Sequence, residues 1–182
     1  MPFGEYTPLG DLFPFIKEIN STAGQFTPGK GATAVEFTLS NGTPVRVSPL
    51  ICYEDIVPSL ARDGVLKGGQ LLVNQTNDAW FGESVAPAQH HMIATFRAIE
   101  NRRFLLRSTN TGLTAVVDPV GRTLAALHTN IEGTLDMTVN LLSKTTIYTL
   151  LGIESWWWFI GLITGIWALL HKILAKRLKI LS

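Results

Sequence analysis

The stretch Pro49-Leu50-Ile51-Cys52-Tyr53-Glu54-Asp55 decides how the chain is read, because it places the only cysteine of 182 residues at the end of a β-branched run. Before it, Thr43-Pro44-Val45-Arg46-Val47-Ser48-Pro49-Leu50-Ile51 has the valine and isoleucine enrichment and the proline punctuation of a strand. After it, Tyr53 to Arg62 changes to a spacing that fits a short helix with acids near its start. A thiol at a strand-to-helix junction lies near unpaired backbone N–H groups and the positive end of a helix dipole, which favours the thiolate. Residue type alone leaves two readings open, a small buried hydrophobe or a nucleophile.

Working outward, Ala34-Val35-Glu36-Phe37-Thr38-Leu39 alternates as a half-buried strand, and Asn41-Gly42 is a hairpin turn that pairs it with the cysteine strand. Pro28-Gly29 marks a turn-rich link, and Gly10 to Ile19 reads as a short amphipathic turn or helix. Downstream, Gly69 to Thr76 is a buried strand that runs into the polar and aromatic loop Asn77-Asp78-Ala79-Trp80-Phe81-Gly82-Glu83-Ser84, the kind of strand-end loop that carries function. From Ala88 to Arg103, Met92, Ile93, Phe96 and Ile99 recur at helical spacing, which predicts an amphipathic helix covering a sheet. His90 and His91 are adjacent, so they point different ways on a helix, and no third ligand is spaced to join them; the spacing predicts no metal site. Phe104 to Thr109, Leu113 to Asp118 and Ile131 to Val139 read as further strands, with a turn at Pro119-Val120-Gly121-Arg122 leading to Thr123-Leu124-Ala125-Ala126-Leu127. Interleaved strands and helices fit a layered α/β or α+β sandwich.

Composition supports a folded chain, with 46% hydrophobic and 16% charged residues. The formal net charge of +1 hides an asymmetry: Lys172, Lys176, Arg177 and Lys179 crowd the end, and residues 1–171 carry eleven basic against fourteen acidic side chains. That balance is a poor match to nucleic acid. From Ser155 to His171 no formal charge occurs, and the run opens with Trp156-Trp157-Trp158. An apolar run of about 25 Å with an aromatic belt at one end and basic residues at the other predicts one transmembrane helix, its C-terminus cytoplasmic. No basic start or apolar leader opens the chain, so a domain placed outside by that helix alone implies earlier spans and a truncated N-terminal side.

Several stretches together resemble one family. Pro2-Phe3-Gly4-Glu5-Tyr6-Thr7-Pro8, Ile51-Cys52-Tyr53-Glu54, Asn77-Asp78-Ala79-Trp80-Phe81-Gly82, Gln89-His90 followed by Arg97-Ala98-Ile99-Glu100-Asn101-Arg102-Arg103, and Asn110-Thr111-Gly112 are similar, in order, to apolipoprotein N-acyltransferase. The resemblance implies a four-layer α-β-β-α nitrilase-like sandwich over residues 1–144, partial at its N-terminal side. Residues 145–182 are then a transmembrane helix with a basic tail in the bacterial inner membrane, the catalytic domain facing the periplasm. It implies a Glu-Lys-Cys triad in which Cys52 is the nucleophile. The triad's lysine and glutamate correspond to positions upstream of Met1, and Lys17 and Lys30 fall after the motif that the lysine should precede.

The implied chemistry moves a fatty acyl chain from a phospholipid donor to Cys52 as a thioester, then to the N-terminal diacylglyceryl-cysteine of an apolipoprotein, with no cofactor. A thiolate suits both steps. Glu5 and Glu54 are supporting acids in this reading, the backbone N–H of Tyr53 faces the developing oxyanion, and Trp80 and Phe81 shape an acyl entrance or lid. Asp78 and Asn110 hold loops by local hydrogen bonds. Two other readings stand beside it: a nitrilase-type amidase, and a non-catalytic membrane-anchored remnant, since the chain alone is expected to turn over little.

Overall fold

In a computed structural model, which describes residues 12, 13, 15 and 29–180, the strand predicted to carry the cysteine lies within a six-stranded mixed sheet of sequential order. β1 (Val35–Thr38) runs antiparallel to β2 (Pro44–Ile51), joined by the Asn41-Gly42 turn, where Gly42 takes φ +83° and Asn41 Oδ1 accepts the Thr43 N–H at 3.0 Å. β2 is parallel to β3 (Leu71–Thr76), and β3 to β4 (Leu105–Thr109). β5 (Thr114–Val117) and β6 (Thr123–Leu127) complete an antiparallel meander.

Parallel neighbours need crossovers, and two helices supply them. The first begins with a 3-10 turn, Cys52–Ile56, and continues as α1 (Pro58–Leu66). Pro58 holds Val57 in an extended conformation, so the single helix expected after Cys52 is split in two. The second crossover is α2 (Ala86–Asn101). Both crossovers step the same way across the sheet, and a constant crossover hand puts both helices on one face. Leu50, Leu72, Leu105 and Val117 of the sheet bury against Ala61 and Val65 of α1 and Ala94 and Ala98 of α2. A side chain at Gly64 would strike Ser48, so α1 lies close on β2.

α2 faces the sheet with the side opposite to the one its spacing predicts. Met92, Ile93, Phe96 and Ile99 point outward, Met92 with 65% and Phe96 with 55% of its surface exposed. The inward stripe is His90, His91, Ala94, Arg97, Ala98 and Asn101. Two alanines let the helix approach the sheet, and the polar groups beside them find partners there, so burial follows fit and hydrogen bonding rather than apolarity alone.

After α2 the chain is held by Arg103, which is buried and donates to the carbonyls of Gly69, Asn101, Arg102 and Lys144 at 2.8, 3.1, 3.1 and 2.8 Å. The strand expected at Ile131–Val139 does not form; residues 131–146 are irregular, because no neighbouring strand among the described residues offers them a ladder. α3 (Ile147–Leu151) is capped by Thr146, whose Oγ1 accepts the Thr149 N–H at 2.9 Å. The buried Thr149 hydroxyl donates to Asn101 Oδ1 at 3.0 Å, Thr146 donates to the Glu100 carbonyl, and Arg62 donates to the Leu150 carbonyl. Gly152, at φ +73°, ends α3 before α4 (Ser155–Ile180).

Two expectations need correction. Among the described residues no helix is long and apolar enough to cross a membrane. Four tryptophans, Gly161, Thr164, Gly165, His171 and Lys172 dilute the hydropathy of α4. The described residues also form two layers, one sheet and the helices on one face of it, rather than four. The other sheet face carries Val35, Phe37 and Ile51, all exposed.

The reversed stripe of α2 has a measurable consequence. Ala98→Leu is expected to cost about 1–3 kcal/mol by overpacking, whereas Phe96→Ala stays within about 0.5 kcal/mol; urea unfolding followed by circular dichroism compares them.

Candidate active site

Register brings the site together. Ile51 pairs with Gln75 and Gln75 with Ser108, so Cys52, the Asn77–Gly82 loop and Asn110 all leave the sheet at one edge, past the C-terminal ends of the three parallel strands. Ligand sites in open α/β sheets form at that edge.

Cys52 is a free, half-buried thiol at φ +51°, left-handed backbone that a non-glycine residue adopts only under restraint. The restraints are visible. Asn74, wholly buried in β3, donates from Nδ2 to the carbonyls of Leu50 and Cys52, both at 3.1 Å. The Glu54 carboxylate turns back to accept the Ile51 N–H at 2.8 Å. Arg97 of α2 donates to the Ile56 carbonyl at 3.0 Å and is itself paired with Glu100. The turn thus closes on its own start through Glu54, while β3 holds the Cys52 carbonyl and α2 holds the turn's end. Tyr53 is exposed, and its backbone follows directly on the strained residue. Strain of this kind costs of order 1–3 kcal/mol and is met where a side chain must be presented outward.

Beneath the turn lies a buried polar cluster. His90 Nε2 is 2.7 Å from Asp55 Oδ1 and its Nδ1 is 2.9 Å from Asp78 Oδ1. Arg107 of β4 donates from Nη2 to Asp78 Oδ2 at 3.0 Å, and its Nη1 stands 3.5 Å from Asp55 Oδ2. All four side chains are almost wholly buried. Burial works against a charged His90 ring. The hydrogen bond and charge of Asp55, together with Asp78, outweigh that burial and the opposing charge of Arg107, so the pKa is raised from 6.5. Arg107 Nη2 also stands 2.9 Å from His90 Nδ1, so imidazole, guanidinium and both carboxylates form one contact network. His91 points to Thr123 instead, 3.2 Å away; burial, reinforced by the charges of Arg107 and His90, lowers its pKa despite Asp55.

The loop is fixed from both sides. Asn110 Oδ1 accepts the Asp78 N–H at 3.1 Å, and Asn110 Nδ2 donates to Asn77 Oδ1 at 2.7 Å. A side chain at Gly112 would collide with the Asp78 carboxylate. Phe81 sets its ring edge against His90, centroids 5.9 Å apart, while Trp80 stands 84% exposed. The structure places Tyr53 and Phe81 against the same His90 ring, centroids 6.1 and 5.9 Å away, with Cys52 and Glu54 in the turn that carries Tyr53 and Trp80 projecting from the loop that carries Phe81; Glu5 lies outside the described residues. Asn110 holds the loop by hydrogen bonds as expected, but Asp78 does more, being one of the two carboxylates of the buried cluster. The roles of Asp55, Asn74 and Arg107 escaped sequence reasoning. Asn74 and Arg107 carry one sequence signal, a polar or charged residue inside an otherwise apolar strand, Asn74 after Leu71-Leu72-Val73 and Arg107 after Leu105-Leu106.

A sequence model of the carbon-nitrogen hydrolase family matches residues 11–146. A curated relative from Geobacter metallireducens named apolipoprotein N-acyltransferase is 46% identical over 121 residues, covering 66% of this chain and 22% of the relative. One of the same name from Chlorobaculum tepidum is 39% identical over 152 residues, 82% of this chain and 28% of the relative. The chain thus spans less than a third of the length of either. A solved carbon-nitrogen hydrolase from Helicobacter pylori G27 superposes with a TM-score of 0.49 at 21% identity, over 59% of this chain and 43% of that one.

The raised His90 pKa means that folding favours the protonated ring. Its stabilisation is complete below the unfolded value of about 6.5 and is lost as pH rises through the folded value. The stability gap between the wild-type chain and His90→Gln is therefore expected to be widest below about pH 6.5 and to narrow above it. Placing both proteins in a His91→Gln background removes the titration of His91, which the His90 charge would otherwise shift. Urea titrations across pH 5.5 to about 9 check this.

Proposed function

Because the chain belongs to the carbon-nitrogen hydrolase family, we propose that it carries the thiol centre of an apolipoprotein N-acyltransferase, with Cys52 as the acyl-bearing nucleophile. The observation that carries this reading is the lone cysteine held at positive φ past the end of a parallel strand, in a chain 46% identical to a relative of that name. The Cys52 sulfur bonds to the ester carbonyl carbon of a phospholipid acyl chain. The ester C–O bond breaks, and the thiol proton ends on the released glycerol hydroxyl. The free α-amine of a diacylglyceryl-cysteine then bonds to the same carbon, the C–S bond breaks, and an amine proton returns the thiol. Splitting the transfer through a thioester replaces one difficult step with two easier ones.

The residues have distinct roles in this proposal. The Tyr53 N–H faces the oxyanion of each tetrahedral intermediate. Glu54 keeps the turn closed through Ile51, and Asn74 holds the Cys52 carbonyl away from the reacting carbon. Glu5 supports the nucleophile from the family motif in which it stands. Trp80 and Phe81 border the acyl path, and their apolar rings suit a fatty chain better than a small amide.

Exposed apolar surface supports contact with lipid. Ile147, Leu150 and Leu151 of α3, Ile153, and Trp156-Trp157-Trp158 in the first turn of α4 are all exposed. Tryptophan favours the interface between headgroups and hydrocarbon, and the basic residues that follow favour anionic lipid. The proposed setting is the bacterial inner membrane, with this exposed apolar surface against the lipid.

An activated ester tests the nucleophile without demanding an acid for the leaving group. With p-nitrophenyl palmitate in phospholipid vesicles, the expected product is a hydroxylamine-labile palmitoyl adduct on Cys52, absent from Cys52→Ala, whose acyl group passes to an added diacylglyceryl-cysteine peptide. An adduct that survives in Cys52→Ala, or hydrolysis of a short amide at Cys52 with no acyl passed to the peptide, overturns the reading.

A further inference from the structure

The buried histidine touches no reacting atom, yet with Arg107 it is one of two side chains that meet both halves of the site, and it alone adds ring contacts to each. Its ring is attached to the thiol's turn twice, through Asp55 at 2.7 Å and through the Tyr53 ring, centroids 6.1 Å apart. It is attached to the aromatic loop twice as well, through Asp78 at 2.9 Å and the edge of Phe81 at 5.9 Å. Tyr53 is the residue after the nucleophile, and Phe81 the residue after the exposed Trp80. His90 itself sits in the second turn of α2, on a rigid element that belongs to neither segment.

The loop is held at discrete points. Gly82 closes it at φ +54°, Trp80 is 84% exposed, and its side-chain anchors are Asn110, Thr76, Ser84 and the His90 cluster. Displacing the loop pulls Asp78 off both His90 and Arg107. Arg107 then has one carboxylate in place of two, and His90 loses the partner that fixes its ring plane. The ring's other face holds Asp55, so the change reaches the strained turn within one side chain. Buried charge networks of this kind do not deform gradually, because each member left unpaired in the interior is costly.

We propose that His90 is a positioning residue that couples the Trp80–Phe81 loop to the Cys52 turn, so that the thiol is held in its outward, strained conformation only while the loop is docked. The role of the thiol in that statement rests on the proposed function; the coupling between the two segments stands on the geometry. In a transferase it links occupancy of the acyl path to presentation of the nucleophile. Coupling between two sites is reciprocal, so a disturbance of either segment must be felt in the other.

The test uses the full chain and reads amide-hydrogen exchange in residues 53–56 and 77–82, together with the rate at which iodoacetamide alkylates Cys52, the only thiol. Asp78→Asn alters the loop side and Asp55→Asn the turn side. The expected result is a crossed effect: Asp78→Asn speeds exchange at 53–56, and Asp55→Asn speeds it at 77–82, each about fivefold or more. Strand β3 stays protected in both, Cys52 alkylation changes in Asp78→Asn, and both crossed effects vanish in a His90→Gln background. If either aspartate variant does not fold, Phe81→Leu, which disturbs only the edge contact, is read the same way. Acceleration confined to the substituted segment, or a crossed effect that persists without His90, overturns the proposal. A wild-type Cys52 that alkylates no faster than a free thiol instead counts against the nucleophile, while the exchange data still decide the coupling.

Discussion

An imidazole with a carboxylate on each ring nitrogen, closed by a guanidinium, is the interaction on which the edge of this sheet depends. Asp55, Asp78, His90 and Arg107 come from a turn, a loop, a helix and a strand, and no two are close in sequence. Each charge in the interior is tolerable because the others are there. The cluster can exist only if β2, β3 and β4 are in their observed register with α2 lying across them, so it acts as a check on the whole arrangement.

That arrangement explains the unusual surface of α2. A helix that must deliver His90 to the cluster and Arg97 to the Ile56 carbonyl cannot also turn Met92, Ile93 and Phe96 inward, because the two sets lie on opposite sides of the cylinder. Ala94 and Ala98 fill the space between helix and sheet, and the large apolar residues are left outside. The hydrophobic area that such a helix would ordinarily bury is replaced by hydrogen bonds to charged groups, which are among the stronger polar contacts a protein interior makes.

Much of the fold was legible in the residues. Five of the six strands read as strands, and the sixth, Thr123–Leu127, was marked by the turn before it; strand composition and hairpin turns are local properties. The lone cysteine, the aromatic loop and the Asn110-Thr111-Gly112 turn were visible as chemistry at strand ends. Local signals failed where the outcome was set by a partner. Ile131–Val139 has strand-like residues but no ladder among the described residues, and α4 opens on tryptophans whose bulk suggests an apolar span while their hydropathy falls short of one. The spacing of Met92, Ile93, Phe96 and Ile99 found the helix and mistook its inner side.

From the sequence alone came the secondary structure, the place of the thiol at the end of a strand, and a family pattern specific enough to suggest acyl transfer. Only the tertiary structure decided what surrounds that thiol. Parallel strands β2, β3 and β4 are joined by helices, so residues 52, 78 and 110 meet because their strands are in register, a relation that no window of sequence contains. The same holds for His90, which in the chain is half of an adjacent histidine pair and in the fold is the link between two carboxylates that precede it by 12 and 35 residues. Hydrophobic periodicity reports which residues could be buried; which ones are buried was settled by the polar groups that needed partners.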